Sequence, residues 1–485
     1  YSLAPGGKRS LEALYQAAFL SYQFQDYDGA ARRFREFIKK YGRSRLRKDA
    51  EWNLAWIHYL KGDYAKAYEE MNQLMKRLGK NASKERLEYW MAMSLLRQKK
   101  EFQARPLFEK LAKDKSMGYY SLAARARLRQ LAPAEPRLNR GIASSDRPLN
   151  RFSLNEILEP FGGIPEDYDA LQGASEPEEE LRLTLGPAAE EETPSEEATT
   201  ADGVAAVDEG QPEEVVRFSN PQLVAKFSQA RDLALLRLED WARWDLYEIE
   251  RATSNREHLR TLMHEYATIG QYHRSSYIAS VVFSQQRLAH GIEGIRYLWE
   301  LAYPEVYKEH VLKAASDFAV PTELIWGIMR AESNYRQDAI SPVGALGLMQ
   351  VMPHTGKKVA EMLKLADFRA EKLLEPQTSI RIGSRYLARL MRRFENVIPV
   401  VAAAYNAGPH RAKLWLSSFG RLDMDEFIEH IPFLETRNYV KKVIVNVHIY
   451  SSLYHGGKDH FPYLASPVPV KWEKGVPTKE TWDDT

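Results

Sequence analysis

The residue of this chain best placed to do acid–base chemistry is a glutamate that ends an apolar helical stripe. The segment "PTELIWGIMRAES" predicts a helix, with Pro321 near its first turn and Ile325, Ile328 and Met329 on one stripe. Glu332 follows them by seven, four and three residues. It therefore shares their face and points its carboxylate toward the packed side, not into bulk water. A carboxyl in apolar surroundings resists ionisation, and its raised pKa lets it carry a proton at neutral pH, as a general acid must. Position alone also allows an ordinary terminal charge in contact with solvent. Arg330 and Arg336 occupy other helical positions and are less obvious partners for it.

Next comes "SPVGALGLMQVMP", in which Gly344 and Gly347 interrupt more than a dozen nearly uncharged residues, as in a loop built for close backbone approach. Ser341 opens this loop, and Gln350 and Met352 flank the start of another helix. An amide and a soft apolar side chain suit a sugar, which offers hydroxyl and acetamido groups beside carbon faces. Downstream, "VVAAAYNAGP" ends an Ala-rich helix with Tyr405 and Asn406 just before Gly408 and Pro409, a strong stop signal. Tyr405 could hydrogen-bond Glu332 or cap a packed helix. "IPFLETRNYVKKVI" then starts a helix with Glu435 in its first turn, where it could simply cap, and Tyr439 one turn later.

These residues need a helical frame, and the periodicity of the chain supplies one throughout. The fold class is all-α. Residues 1–132 read as helix pairs in which Tyr22, Asp26, Tyr27 and Ala30 recur as Tyr59, Asp63, Tyr64 and Ala67, 37 residues on, with a weaker third copy in "WMAMSLLRQKKEFQARPLFEKLA". A period of this size means stacked helical hairpins, and the pattern resembles tetratricopeptide repeats. Such repeats serve as a scaffold or offer a groove to a protein partner. Their aromatic stripe reads as core. Residues 133–214 carry "EPEEE", "EEETPSEE" and "DEGQPEE" and read as an acidic, largely flexible linker. Helical periodicity resumes over 215–300 as a region expected to pack on the domain that follows, 301–465, leaving a tail at 466–485.

Composition narrows the function classes. With 68 Lys and Arg against 66 Asp and Glu, the net charge of +2 gives no reason to expect nucleic acid. No apolar run reaches the roughly 18 residues of a membrane helix. The chain contains no cysteine, so disulfides, thiolate catalysis and cysteine metal sites are excluded. It begins at Tyr1 without a basic-then-apolar leader, which a removed signal peptide or a trimmed chain would leave. "HEYAT" lacks the second His of a zinc helix, and "DMDEF" has two acids at calcium-loop spacing without the following Gly and twelfth-position Glu. No metal or other cofactor is expected.

Taken in order, "AES", "SPVGALGLMQVMP", "SIRIGSRYL", "AAYNAGP" and "IPFLETRNYV" resemble the successive motifs of the soluble lytic transglycosylases. These are glycoside hydrolase family 23 enzymes, related to goose-type lysozyme. The upstream stretch "AYPEVYKEHV" is similar to the region that precedes the catalytic domain in the large soluble members. The resemblance implies a lysozyme-like α domain with Glu332 as catalytic acid/base. It implies that Ser341, Gln350, Met352, Tyr405 and Asn406 line a glycan site, with Glu435 and Tyr439 near it. It also implies peptidoglycan as substrate, cleavage of the β-1,4 bond between N-acetylmuramic acid and N-acetylglucosamine, 1,6-anhydromuramyl ends, and a periplasmic or cell-envelope location in a bacterium. No motif supplies a second catalytic carboxylate, and the nearest spare acid, Asp338, falls on a solvated turn. A lysozyme-type hydrolase, or a peptidoglycan-binding scaffold whose enzyme fold has decayed, are the competing expectations.

Overall fold

The computed structural model describes residues 8–78, 84–114, 117–132, 218, 220–457, 461 and 463–470. Among these residues the protein is all-α, as the periodicity predicts, and only isolated bridges stand in for strands. The acidic segment 133–214 and most of the C-terminal tail lie outside the described residues. The described chain divides into two compact units. One comprises the N-terminal helices to residue 132 with 390–445 and 461–470, and the other comprises 218–389 with 446–457. No described helix is long and apolar enough to cross a membrane.

The first unit begins with α1 (Lys8–Gln23), α2 (Tyr27–Lys40), α3 (Arg47–Leu60), α4 (Tyr64–Arg77), α5 (Glu85–Arg97), α6 (Glu101–Ala112) and α7 (Tyr119–Leu131). The 37-residue period has a backbone cause. Gln25, Gly62 and Lys99 all adopt left-handed φ, at 61°, 78° and 61°, and turn the chain between paired helices. Asp26 and Asp63 then cap the second helix of each pair, accepting from Gly29 N at 2.9 Å and Lys66 N at 3.3 Å. The third copy has Lys100 at this position and no side-chain cap, which explains its weakness as a sequence repeat. Ala30, Ala67 and Ala104 are fully buried where the paired helices meet, as are Phe34, Met71 and Phe108 four residues on. Each hairpin buries its apolar face only by stacking on its neighbours.

The second unit opens with two hairpins, α8 (Pro221–Leu235) with α9 (Glu239–Ala252) and α10 (Arg256–Thr268) with α11 (Tyr272–Val281). There follow α12 (Ser284–Gly294), α13 (Arg296–Ala302), α14 (Lys308–Phe318), α15 (Thr322–Ser333), α16 (Pro353–Met362) and α17 (Pro376–Arg393). Helix α15 is the core of this unit, with Leu324 through Met329 all buried. Trp326 donates to Val306 O at 2.8 Å and stacks on Tyr450, whose hydroxyl meets that of Tyr335 at 2.7 Å. Asn446 donates to Gly327 O at 2.9 Å. Asn334, just past the helix, accepts from Ser276 and donates to His273 O, so α11 holds the end of α15.

The chain returns to the first unit at Leu390, near the end of α17, and continues there with α18 (Ile398–Ala407), α19 (Pro409–Phe419), α20 (Met424–His430) and the N-terminal part of α21 (Leu434–Tyr454). Helix α18 is buried from Ile398 to Ala404, which an all-apolar helix requires. It stops where Gly408 takes φ 90° and donates to Ala404 O. All seven residues of α20, "MDEFIEH", are buried although four of them are ionisable.

Candidate active site

Glu332 sits in the last turn of α15, half-buried, directly after the fully buried Ile325, Ile328 and Met329. The helix ends just beyond it because Asn334 and Tyr335 both take left-handed φ, 47° and 69°. Only a firmly packed end holds two such residues in succession, and the buried Tyr335 hydroxyl on Tyr450 supplies part of that packing. Both arginines considered from the sequence have other partners. Arg330 donates to Ala302 O at 3.2 Å and Ser280 Oγ at 2.9 Å and lies over the Tyr303 ring. Arg336 faces the exposed Asp338 at 3.8 Å, which accounts for that acid as part of a solvated turn.

The loop after α15 folds tightly on itself. Ser341 Oγ accepts from Ala345 N at 2.9 Å, and Ser341 N donates to Ala345 O at 2.9 Å, closing a turn around Gly344. Leu346 bridges both Ile340 and Val351. Gln350, itself at φ 44°, sends its amide nitrogen to Ala339 O at 3.1 Å and Gly347 O at 2.9 Å. It therefore braces the loop from inside, a role that the sugar-directed expectation did not contain. Met352 stands half-buried at the N-cap of α16, before Pro353 at the first helical position.

Three residues with no assigned role in the sequence reading tie this loop to its supports. Ser333 Oγ, next to Glu332, donates to Leu348 O at 2.9 Å and joins the helix end to the loop. Ser379 Oγ on α17 accepts from Met349 N at 3.3 Å, and Gly383 leaves room for the Met349 side chain. Ser379 and Gly383 both belong to "SIRIGSRYL", so a signal was present in the motif. Its meaning depended on a contact across 30 residues.

The remaining expected site residues lie in the first unit. Tyr405 and Asn406 are half-buried in the last turn of α18. Thr436 Oγ1 donates to Asn406 Oδ1 at 2.6 Å, so the start of α21 fixes which way the Asn406 amide faces. Glu435 is exposed in the first turn of α21, as expected of a capping acid, and Tyr439 is buried one turn on. The structure thus brings Ser341, Gln350 and Met352 into one braced loop after Glu332, and Asn406 into contact with the segment that carries Glu435.

Comparison with known proteins interprets this arrangement. A family model described as the transglycosylase SLT domain matches residues 309–428. That stretch is an SLT domain. It spans α15 with Glu332, the braced loop and α18, while Glu435 and Tyr439 lie beyond the match. A tetratricopeptide-repeat model matches residues 12–44, the first helix pair. The soluble lytic murein transglycosylases of Salmonella typhimurium and Escherichia coli are 41% and 40% identical to this chain over 152 residues. The shared stretch is 30% of this chain and 24% of theirs, so the match to these relatives is confined to about a quarter of their length. Among solved structures, an inactive Glu-to-Gln mutant of lytic transglycosylase Slt from Pseudomonas aeruginosa superimposes with TM-score 0.58 at 20% identity, over 96% of this chain and 59% of that one. The 70 kDa soluble lytic transglycosylase from Escherichia coli gives TM-score 0.52 at 21% identity, over 92% and 63%. These two likenesses show a shared all-α fold that extends well beyond the SLT domain.

Proposed function

We propose that this protein is a lytic transglycosylase of the bacterial cell envelope, acting on peptidoglycan through a catalytic domain at 301–465. The observation that carries the reading is the position of Glu332 within the SLT domain, on an apolar helix end fused by Ser333 to a loop with few charges. Cleavage falls on the β-1,4 bond between N-acetylmuramic acid and N-acetylglucosamine. Glu332 first gives its proton to the glycosidic oxygen as the bond from muramyl C1 breaks. The substrate's own acetamido oxygen stabilises the cationic C1 in place of a second protein carboxylate, a recognised departure from the two-carboxylate scheme. The muramyl C6 hydroxyl then attacks C1 while Glu332, now a carboxylate, takes its proton. A 1,6-anhydromuramyl end forms, Glu332 is restored and no water is consumed.

To the glycan site we assign Met352 and Tyr405 as apolar surface for sugar faces, Ser341, Gln350 and Asn406 as hydrogen-bonding residues, and Glu435 and Tyr439 as further members. The bonds found for Ser341 and Gln350 support a shaping role for both: they hold the loop whose backbone the glycan would meet. Glu332→Gln is nearly isosteric and should leave thermal stability unchanged while lowering turnover of purified sacculi at least about 100-fold, the lower range for losing a general acid. Turnover at the wild-type rate would remove Glu332 from the mechanism.

A further inference from the structure

Helix α20 is short, acidic and entirely buried, and its acids are met by three alternate helices of the N-terminal array, α3, α5 and α7. Arg127 on α7 forks onto Asp425 at 2.9 and 2.5 Å and reaches Asp423 at 2.8 Å. Tyr89 on α5 donates to Asp425 as well. Arg97 on α5 and Tyr59 on α3 converge on Glu426 at 2.7 and 2.5 Å. Arg86 on α5, stacked over Trp52 at 3.7 Å, binds Glu429 at 2.5 Å, and Tyr120 on α7 donates to the other oxygen at 3.1 Å. His430 lies against Trp56 at 5.3 Å. Arginines and tyrosines from alternate helices of a stacked-hairpin module thus converge on one carboxylate helix, the arrangement by which such a module holds an acidic helical ligand.

Glu429 carries the contact further. Its second oxygen accepts from Lys441 at 2.6 Å, and its backbone carbonyl accepts from Arg437 at 3.1 Å. Both cations are on α21, and Thr436, adjacent to Arg437, is the residue that holds Asn406. We propose that the groove of the N-terminal repeats is an intramolecular receptor for α20, and that Arg86, Glu429 and Arg437 are positioning residues that set the Asn406 amide through Thr436. The inference rests on the proposed function only for its kinetic consequence, since the receptor contact is structural. It also assigns the groove an occupant other than a separate protein partner.

The test uses full-length Arg86→Gln, with Arg86→Lys as the milder variant should the first misfold, and Lys110→Gln as a control at an exposed pair with Glu88 outside the groove. Hydrogen exchange read by mass spectrometry should rise about tenfold or more over 424–445 and stay unchanged over 322–352, because the opening is local. On a soluble glycan, Arg86→Gln and Thr436→Val should each lower kcat about tenfold with little effect on KM, and the double variant should be no worse than either alone. Unchanged exchange over 424–445 overturns the receptor. Additive kinetic losses overturn the relay to Asn406 while leaving the exchange result standing. A wild-type protein with no turnover but the predicted exchange pattern refutes the proposed function, not the receptor.

Discussion

Replacing Gly347 by Ala should disable the braced loop far out of proportion to one methyl group. Gly347 has φ 76°, and a Cβ there would stand 1.9 Å from Leu373 O and 3.0 Å from Ser379 Oγ. The first of these is backbone and cannot rotate aside. Relieving it from 1.9 Å to the 3.4 Å of ordinary contact displaces the loop by about 1.5 Å. That movement breaks Gly347 N to Ala339 O and strains the bonds of Gln350 to Gly347 O, of Ser333 to Leu348 O and of Met349 N to Ser379 Oγ. With left-handed backbone adding about 1–2 kcal/mol and the one lost bond about 1 kcal/mol, the local penalty is roughly 2–3 kcal/mol before any strain in the other bonds. Misplacing an active-site element by about 1 Å lowers rates on the order of 100-fold. Gly344→Ala is the internal control, since its φ is 82° but nothing lies within 4 Å of the added Cβ. It should lose only the backbone term, about 1–2 kcal/mol. The assay is kcat/KM on glycan beside thermal melting for both variants. Equal activity of Gly347→Ala and Gly344→Ala, both near wild type, would refute the claim that the Leu373 contact shapes the loop.

Two further outcomes follow from the repeats and from the buried acids. Lys99→Gly, placing at the third left-handed turn the residue that Gly62 provides at the second, should raise stability by about 1 kcal/mol in denaturant unfolding; a lowered midpoint would show that Lys99 bears no strain in that turn. Burial pulls the Glu429 carboxyl upward, but Arg86, Lys441 and Arg437 outweigh burial and hold it well below its ordinary value of 4.5, with Tyr120 as the neutral neighbour. A depressed carboxyl stabilises the fold fully above that ordinary value and loses the contribution as pH falls below it. The denaturation midpoint should therefore drop between about pH 5 and about pH 3, and Glu429→Gln should flatten that slope while starting from a lower midpoint.

Much of this architecture is legible in sequence because it is local. The recurrence of Tyr, Asp and Ala at 37 residues reports the left-handed turn and capped helix of each hairpin, and "AYNAGP" marks the end of α18. Glu332 on the face of Ile325, Ile328 and Met329 follows from helical geometry alone. Long-range pairing is what sequence reasoning misses. Within "DMDEF", which fails as a calcium loop, Asp425 and Glu426 belong to a buried ion-pair cluster whose arginines lie 298 and 329 residues away in sequence. An acid bound for an arginine that distant looks like any solvated acid. Gln350 is illegible for the opposite reason: its partners, Ala339 O and Gly347 O, are backbone atoms, which residue types do not reveal.

Transfer to an internal hydroxyl by one carboxylate is tested most directly by mass analysis of sacculi digested in heavy-oxygen water. The muropeptides should carry 1,6-anhydromuramyl ends and no incorporated label. Reducing ends carrying the heavy oxygen would show that water is the nucleophile and would contradict the single-carboxylate transfer.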